Sequence, residues 1–162
     1  MVDTKPYRVR PGKNFQLQGW EPADDGGWDK DKAKLRTAKL GEQLADLQEK
    51  LYAQGTQALL VVLQAMDTAG KDSTIRSVFA PMNPQGVGVS NFKAPTSHEL
   101  AHDYLWRIHQ QAPRRGMVGI FNRSHYEDVL VVRVKNLCPA PVWRRRYRHI
   151  CHFEQMLHDE GT

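Results

Sequence analysis

Residues 59–74 read Leu-Leu-Val-Val-Leu-Gln-Ala-Met-Asp-Thr-Ala-Gly-Lys-Asp-Ser-Thr, an apolar run that breaks into a short polar loop with one glycine and one lysine. A strand that ends in such a loop and re-emerges as a helix presents backbone N–H groups and a helix N-terminus to an anion. Lys71 adds a mobile positive charge suited to β- and γ-phosphates, and Gly70 permits a backbone angle that other residues resist. The pattern is a degenerate G-x-x-x-x-G-K-[ST] phosphate loop. Ala65 replaces the first glycine and Asp72 the hydroxyl residue, with Ser73 and Thr74 following. Ala69, Gly70, Lys71, Asp72, Ser73 and Thr74 are therefore the candidate phosphate-binding residues; the competing reading is an ordinary glycine turn. Asp67 sharpens the picture. A carboxylate facing a phosphate cradle is repulsive unless a cation lies between them, and Mg²⁺ binds through one or two carboxylates plus phosphate oxygens. Asp67 is the candidate metal or metal-water ligand, against the alternative of a helix-capping aspartate.

A second motif competes. Residues 98–102, His-Glu-Leu-Ala-His, are a literal H-E-x-x-H, which on a helix would bind Zn²⁺ with Glu99 as base. Thr96 and Glu99 also form a capping box, which explains Glu99 without catalysis. The extended G-x-x-H continuation fails, because Leu105 and Ile108 stand where Gly and His should be. A zinc hydrolase is the remote alternative. His125, two residues from Arg123, is read as a packing or hydrogen-bonding residue, because phosphoryl transfer needs little acid–base help.

These residues need elements to hold them. The chain has 162 residues, 23 Lys+Arg against 18 Asp+Glu, and 40% apolar residues. That is one domain's worth of chain, and the composition excludes collagen, a coiled coil and wholesale disorder. No run reaches the ~18 apolar residues of a membrane span, and the N-terminus lacks the apolar core of a secretory signal. Two cysteines and no disulfide scaffold fit a reducing cytoplasm. Residues 1–28, with Pro6, Pro11, Pro22 and a Gly26-Gly27 pair, are expected to be an extended arm ahead of a domain over 29–162. An amphipathic helix is expected from Asp29 to Gln54, with Gly41 costing propensity. A strand buried on both faces is expected over 58–66, a helix to Phe79, a weaker strand over 86–92 and a helix from Thr96 to before Pro113. A buried strand over 116–121 and two further helices, the last from Pro139 to about His158, complete the pattern. Strand and helix alternate as in a parallel α/β sheet.

Four blocks make the whole recognisable: QAMDTAGKDSTIRSVF (64–79), NFKAPT (91–96), ELAHDYLWRIH (99–109) and GIFNRSHYEDVLVVRV (119–134). In order and spacing, from about Arg36 to Thr162, they resemble the polyphosphate kinase type 2 family. The resemblance implies a P-loop, thymidylate-kinase-like three-layer fold. It also implies Mg²⁺-dependent phosphoryl transfer between inorganic polyphosphate and a nucleotide of the AMP, ADP or GDP class. Residue by residue, Asp67 and Lys71 match the family's Walker A acid and lysine, and Arg123 its phosphate-binding arginine, so these three are the expected catalytic residues. Asn122 stands at the Walker B corner where many relatives carry aspartate, and adds no charge there. Glu127 and Asp128, with Asn122, are the expected nucleotide-binding residues; the first two read equally well as acids complementing a helix dipole.

From Val129 to Phe153 there is no acidic residue, while Arg133, Lys135, Arg144, Arg145, Arg146 and Arg148 are present. A flexible polyanion would be attracted to such a surface, which read singly is a solvated helix face. No nucleic-acid motif accompanies it. In the resembled family the chain continues with another strand, an arginine-bearing lid and further helices. At ~30 residues per βαβ unit, two such units are roughly 60 residues. The expectation is therefore an N-terminal portion of a kinase, with exposed sheet edges that favour a homo-oligomer. A phosphate-binding or assembly module of the same fold without turnover is the alternative.

Overall fold

The computed structural model describes residues 3–9, 16–21 and 23–162. The chain divides into two compact units, Met1–Leu35 and Arg36–Thr162. Part of the expected N-terminal arm (1–2, 10–15 and 22) lies outside the described residues. Its described stretches include short 3-10 turns at Lys5–Tyr7 and Leu17–Gly19. The Tyr7 hydroxyl donates to Asp24 Oδ2 at 2.9 Å, and this bond is the main cause that raises the phenol above its ordinary value.

The second unit is built on three parallel strands, β1 (Leu59–Leu63), β2 (Val87–Asn91) and β3 (Val118–Asn122), in the order β1-β3-β2. Leu59 and Val87 both align with Val118, and Leu63 and Asn91 with Asn122, so all three strands end level. The helices are α1 (Lys30–Gln54), α2 (Lys71–Phe79), α3 (Ser97–Leu100), α4 (Trp106–His109), α5 (Glu127–Val134) and α6 (Ala140–Asp159).

Side chains of β3 alternate between two cores, as the pleat requires. Phe121 joins Phe92, Ile108 and Phe153, with Leu105 and Leu157 against them, under α4 and α6. Val118 and Ile120 join Met82 and the partly buried Leu44, Leu51, Ile75 and Phe79, under α1 and α2. That is the three-layer α/β architecture the motifs implied.

Two expectations need correction. The strand over 58–66 is shorter and less buried than its composition suggests. β1 runs Leu59–Leu63 with Leu59 exposed and the rest part-buried, whereas β3, which lies between β1 and β2, is buried from Val118 to Phe121. Past Leu63 the Gln64 side-chain amide donates to Glu127, Nε2 to Oε1 at 2.6 Å. The single helix expected from Thr96 is two short ones. Asp103 accepts from Leu105 N–H through Oδ1 (2.9 Å) and from Trp106 N–H through its carbonyl (3.1 Å). Side-chain-to-backbone bonds of this kind compete with the helix ladder.

Gly41 finds its reason here. A Cβ at that position of α1 would come within 2.8 Å of Pro81 Cγ, so the residue is a close-packing site between α1 and the segment after α2.

Candidate functional site

The level strand ends place three loops side by side, and in open parallel sheets this edge is where ligands bind. β1 leads into 64–70, β2 into 92–96, and β3 into the corner at Arg123. Gly70 caps α2 with φ +85, a left-handed angle that leaves no side-chain cap on the helix. The first N–H groups of α2 therefore face the loop without a side-chain acceptor, which suits an anion. Thr68 (φ +67) and Arg123 (φ +62) are also left-handed. Two non-glycine residues held at such angles around one cleft mark stored backbone strain of a kind that gathers at functional sites.

The cleft between these loops has a volume of about 750 Å³. Lys71, Arg76, Lys93 and Arg123 line it, against the carboxylates of Asp67 and Asp72. Lys71 Nζ donates to the Ala65 and Met66 carbonyls, each at 2.8 Å, which ties the ammonium to the loop it follows. Arg123 reaches across from β3 and pairs with Asp67. Its backbone N–H donates to Leu63 O at 3.0 Å and extends the β1–β3 pairing by one residue. Its second guanidinium nitrogen lies 4.0 Å from Glu127 Oε2. Asn122 Nδ2 donates to Asp72 Oδ1 (2.6 Å) and Asn91 Oδ1 (2.8 Å), so one amide links β3, β2 and α2.

The structure thus brings together Asp67, Gly70, Lys71, Asp72, Ser73, Asn122 and Arg123. Ala69 and Thr74 stand back from the cleft. Ala69 N–H closes a turn onto Met66 O at 3.3 Å, and Thr74 N–H makes the bond to Gly70 O at 2.9 Å. Glu127 lies beside the cleft, in a neighbouring cavity with Asp67 and Arg123. Asp128 is placed elsewhere. Its Oδ1 accepts from Arg146 Nη1 at 3.2 Å, its Oδ2 faces Arg107 at 3.9 Å, and it lines a separate cavity. Burial pushes its carboxyl above the ordinary value, with the two arginines opposing that rise. Asp128, expected among the nucleotide-binding residues, is thus placed in an ion-pair cluster with Arg107 and Arg146 and does not line the cleft.

Arg76, Asn91 and Lys93 belong to the cleft but were not singled out in the sequence. Only their positions, one helical turn into α2 and at the end of β2, carry a signal. Gln64 was missed as well. Its Oε1 accepts from Ser124 Oγ at 3.2 Å while its amide holds Glu127, which steadies the acid next to Arg123.

His125 is buried as a packing residue. It contacts the Phe153 ring, and its Nε2 lies 3.1 Å from Glu154 Oε1.

The zinc reading loses its geometry. α3 ends at Leu100, before His102. His102 stacks on Trp106 with ring centroids 4.1 Å apart. Glu99 Oε2 accepts from Thr96 N–H at 2.7 Å in the capping box, which is the main cause holding its carboxyl below the ordinary range. Among the described residues no group of three or more His, Cys, Asp or Glu is arranged to hold a metal.

Residues 27–162 match the model of the family described as Polyphosphate kinase 2 (PPK2). The chain belongs to the polyphosphate kinase 2 family. The match begins somewhat earlier than the Arg36 expected from the four blocks. The chain is 58% identical, over 98% of its length, to the AMP/ADP-polyphosphate phosphotransferase of Meiothermus ruber, of which it covers 60%. It is 42% identical to the ADP-polyphosphate phosphotransferase of Rhodopseudomonas palustris, again covering 60% of that relative. Among solved structures, polyphosphate kinase 2 from Arthrobacter aurescens TC1 superposes with a TM-score of 0.91 at 46% identity, over 98% of this chain and 58% of that one. The chain thus spans about three-fifths of the length of these PPK2 relatives.

Proposed function

We propose that this chain carries the phosphate-binding machinery of a polyphosphate-dependent nucleotide phosphotransferase. The observation that carries the reading is the convergence of four basic side chains on one cleft at the strand ends, over an α2 N-terminus without a side-chain cap. The names of the relatives supply the substrate class, inorganic polyphosphate with AMP, ADP or GDP. In the transfer, a terminal phosphate oxygen of the nucleotide forms a bond to the terminal phosphorus of polyphosphate. The P–O bond to the shortened polyphosphate breaks, and the leaving oxygen keeps the electron pair. Such a reaction needs positioning and charge neutralisation more than acid–base chemistry.

Lys71 and the N–H groups of α2 bind and orient the phosphate chain. Arg123, a permanently charged planar fork, meets the equatorial oxygens as charge redistributes. Arg76 and Lys93 extend the positive wall. The donor set fits Mg²⁺: Asp67 is a single, largely exposed carboxylate, 79% accessible, on the rim of a phosphate site. When bound there, the ion would neutralise phosphate charge, and Arg123 would exchange its Asp67 partner for phosphate.

A phosphate-binding or assembly module without turnover is the second reading, because the relatives' names belong to proteins of which this chain spans about 60%. The test is ATP formation from polyphosphate and ADP or AMP with Mg²⁺. Turnover that falls at least about 10²-fold in Lys71→Ala supports the enzyme. Tripolyphosphate binding that depends on Lys71, without turnover, supports the module. Binding that ignores Lys71→Ala sinks both.

A further inference from the structure

Phe92, Lys93 and Ala94, which open the segment 92–96, form the β2 side of the cleft, and Lys93 is their contribution to its charge. The same segment also walls a second cavity of about 510 Å³, and Arg107 of α4 lines that cavity, not the phosphate cleft. Arg107 is only 8% exposed. A buried guanidinium must be paired and hydrogen-bonded, or it costs several kcal/mol. Its Nη1 donates to the Lys93 carbonyl at 2.9 Å, and its Cζ lies 5.5 Å from the Phe92 ring centroid. Glu99 Oε1 lies 3.8 Å from Nη1 and Asp128 Oδ2 lies 3.9 Å from Nη2. Asp128 Oδ2 makes no hydrogen bond, so it acts on Arg107 by charge alone. Glu99 in turn accepts the Thr96 N–H. The segment is thus fixed at three points: Phe92 N–H on Asn122 O (3.1 Å), Lys93 O on Arg107, and Thr96 N–H on Glu99.

We propose that Arg107 is a positioning residue for the phosphate cleft: with Glu99 and Asp128 it clamps the 93–96 backbone, and so sets where the Lys93 ammonium meets the phosphate chain. The inference rests on the phosphate-binding reading above. A lysine at 107 would keep the charge. It would lose the planar fork that reaches a carbonyl and two carboxylates at once.

The test is a double-mutant cycle on the 162-residue chain, with inorganic tripolyphosphate binding followed by calorimetry at fixed ionic strength. Arg107→Lys is expected to weaken binding about tenfold with Lys93 present and by less than about twofold in a Lys93→Ala background, because contacts acting through one another are non-additive. An equal loss in both backgrounds, or no loss in the first, overturns the proposal. Should Arg107→Lys not fold, Glu99→Gln replaces it in the cycle, with an expected loss of about threefold that again vanishes with Lys93→Ala; unchanged affinity overturns it. Lys71→Ala separates the two levels. If it leaves tripolyphosphate binding intact, the cleft reading and this inference fall together. If it abolishes binding while the Arg107 cycle is additive, only the clamp falls.

Discussion

The Asn122 amide holds two acceptors of different elements, the Asp72 carboxylate and the Asn91 carbonyl oxygen, at 2.6 and 2.8 Å. Asn122→Asp would exchange its donor for a second carboxylate and set like charges in contact. The lost hydrogen bonds and the repulsion should cost about 1–3 kcal/mol. For a domain of this size that lowers Tm by roughly 3–8 °C in the absence of divalent ions. Millimolar Mg²⁺ should restore part of the loss, since a hard cation can sit between two carboxylates. Thermal melts with and without Mg²⁺ read this directly, and an unchanged Tm would show that the amide bridge contributes nothing.

Asp67 and Lys71 stood out by residue type and spacing in a degenerate phosphate loop, whereas Arg123 stood out only through the family resemblance. Thr68 and Arg123 gave no hint of their left-handed backbone, since neither is a residue that prefers it. Lys93 and Arg76 were invisible for the opposite reason: a lone basic residue has no pattern until the fold turns it toward others. The placement of Glu127 and Asp128 in different cavities was not legible, because an acidic pair at a helix start says nothing about which carboxylate faces which cavity.

At the scale of elements, α1 and the segment after α2 meet at a glycine. Intrinsic propensity says that Gly41→Ala should stabilise a helix by about 1 kcal/mol. The structure says the reverse, because the new Cβ would lie 2.8 Å from Pro81 Cγ in a ring that cannot swing aside. Overpacking of this kind costs about 1–3 kcal/mol. Urea unfolding of Gly41→Ala should therefore show net destabilisation, and Pro81→Ala added to it should recover most of the loss. A stabilised single variant would mean that the two segments part easily. The same contest between local and tertiary terms decided how much of the fold could be read in advance. Apolar runs located all three strands. Their order was not written in them: both 58–66 and 116–121 read as buried strands, and only the fold sets β3 between the other two. The helix periodicity over 96–112 was real, but the Asp103 side chain offered the backbone a better partner.

At the scale of the whole molecule, folding takes one titratable ring fully out of water. His125 has no exposed surface, and its Nδ1 finds no hydrogen-bond partner. Burial lowers its pKa from the ordinary 6.5, and Glu154 opposes that only in part. The folded chain then binds fewer protons at this site than the unfolded chain does. Unfolding free energy must rise with pH wherever the unfolded state holds the extra proton. The contribution is complete above about pH 6.5 and is lost as pH falls toward the lowered folded value. Asp128 works in the opposite sense. Its carboxyl is raised above 3.8, so the stability it contributes is present in acid and is lost as pH rises through the folded value. Chemical denaturation between pH 5 and 8 should therefore show stability declining below about 6.5. His125→Gln, which cannot take up a proton, should flatten that decline while leaving the acid-side contribution of Asp128 in place. If the slope survives in His125→Gln, the buried ring is a packing residue without weight in the pH response.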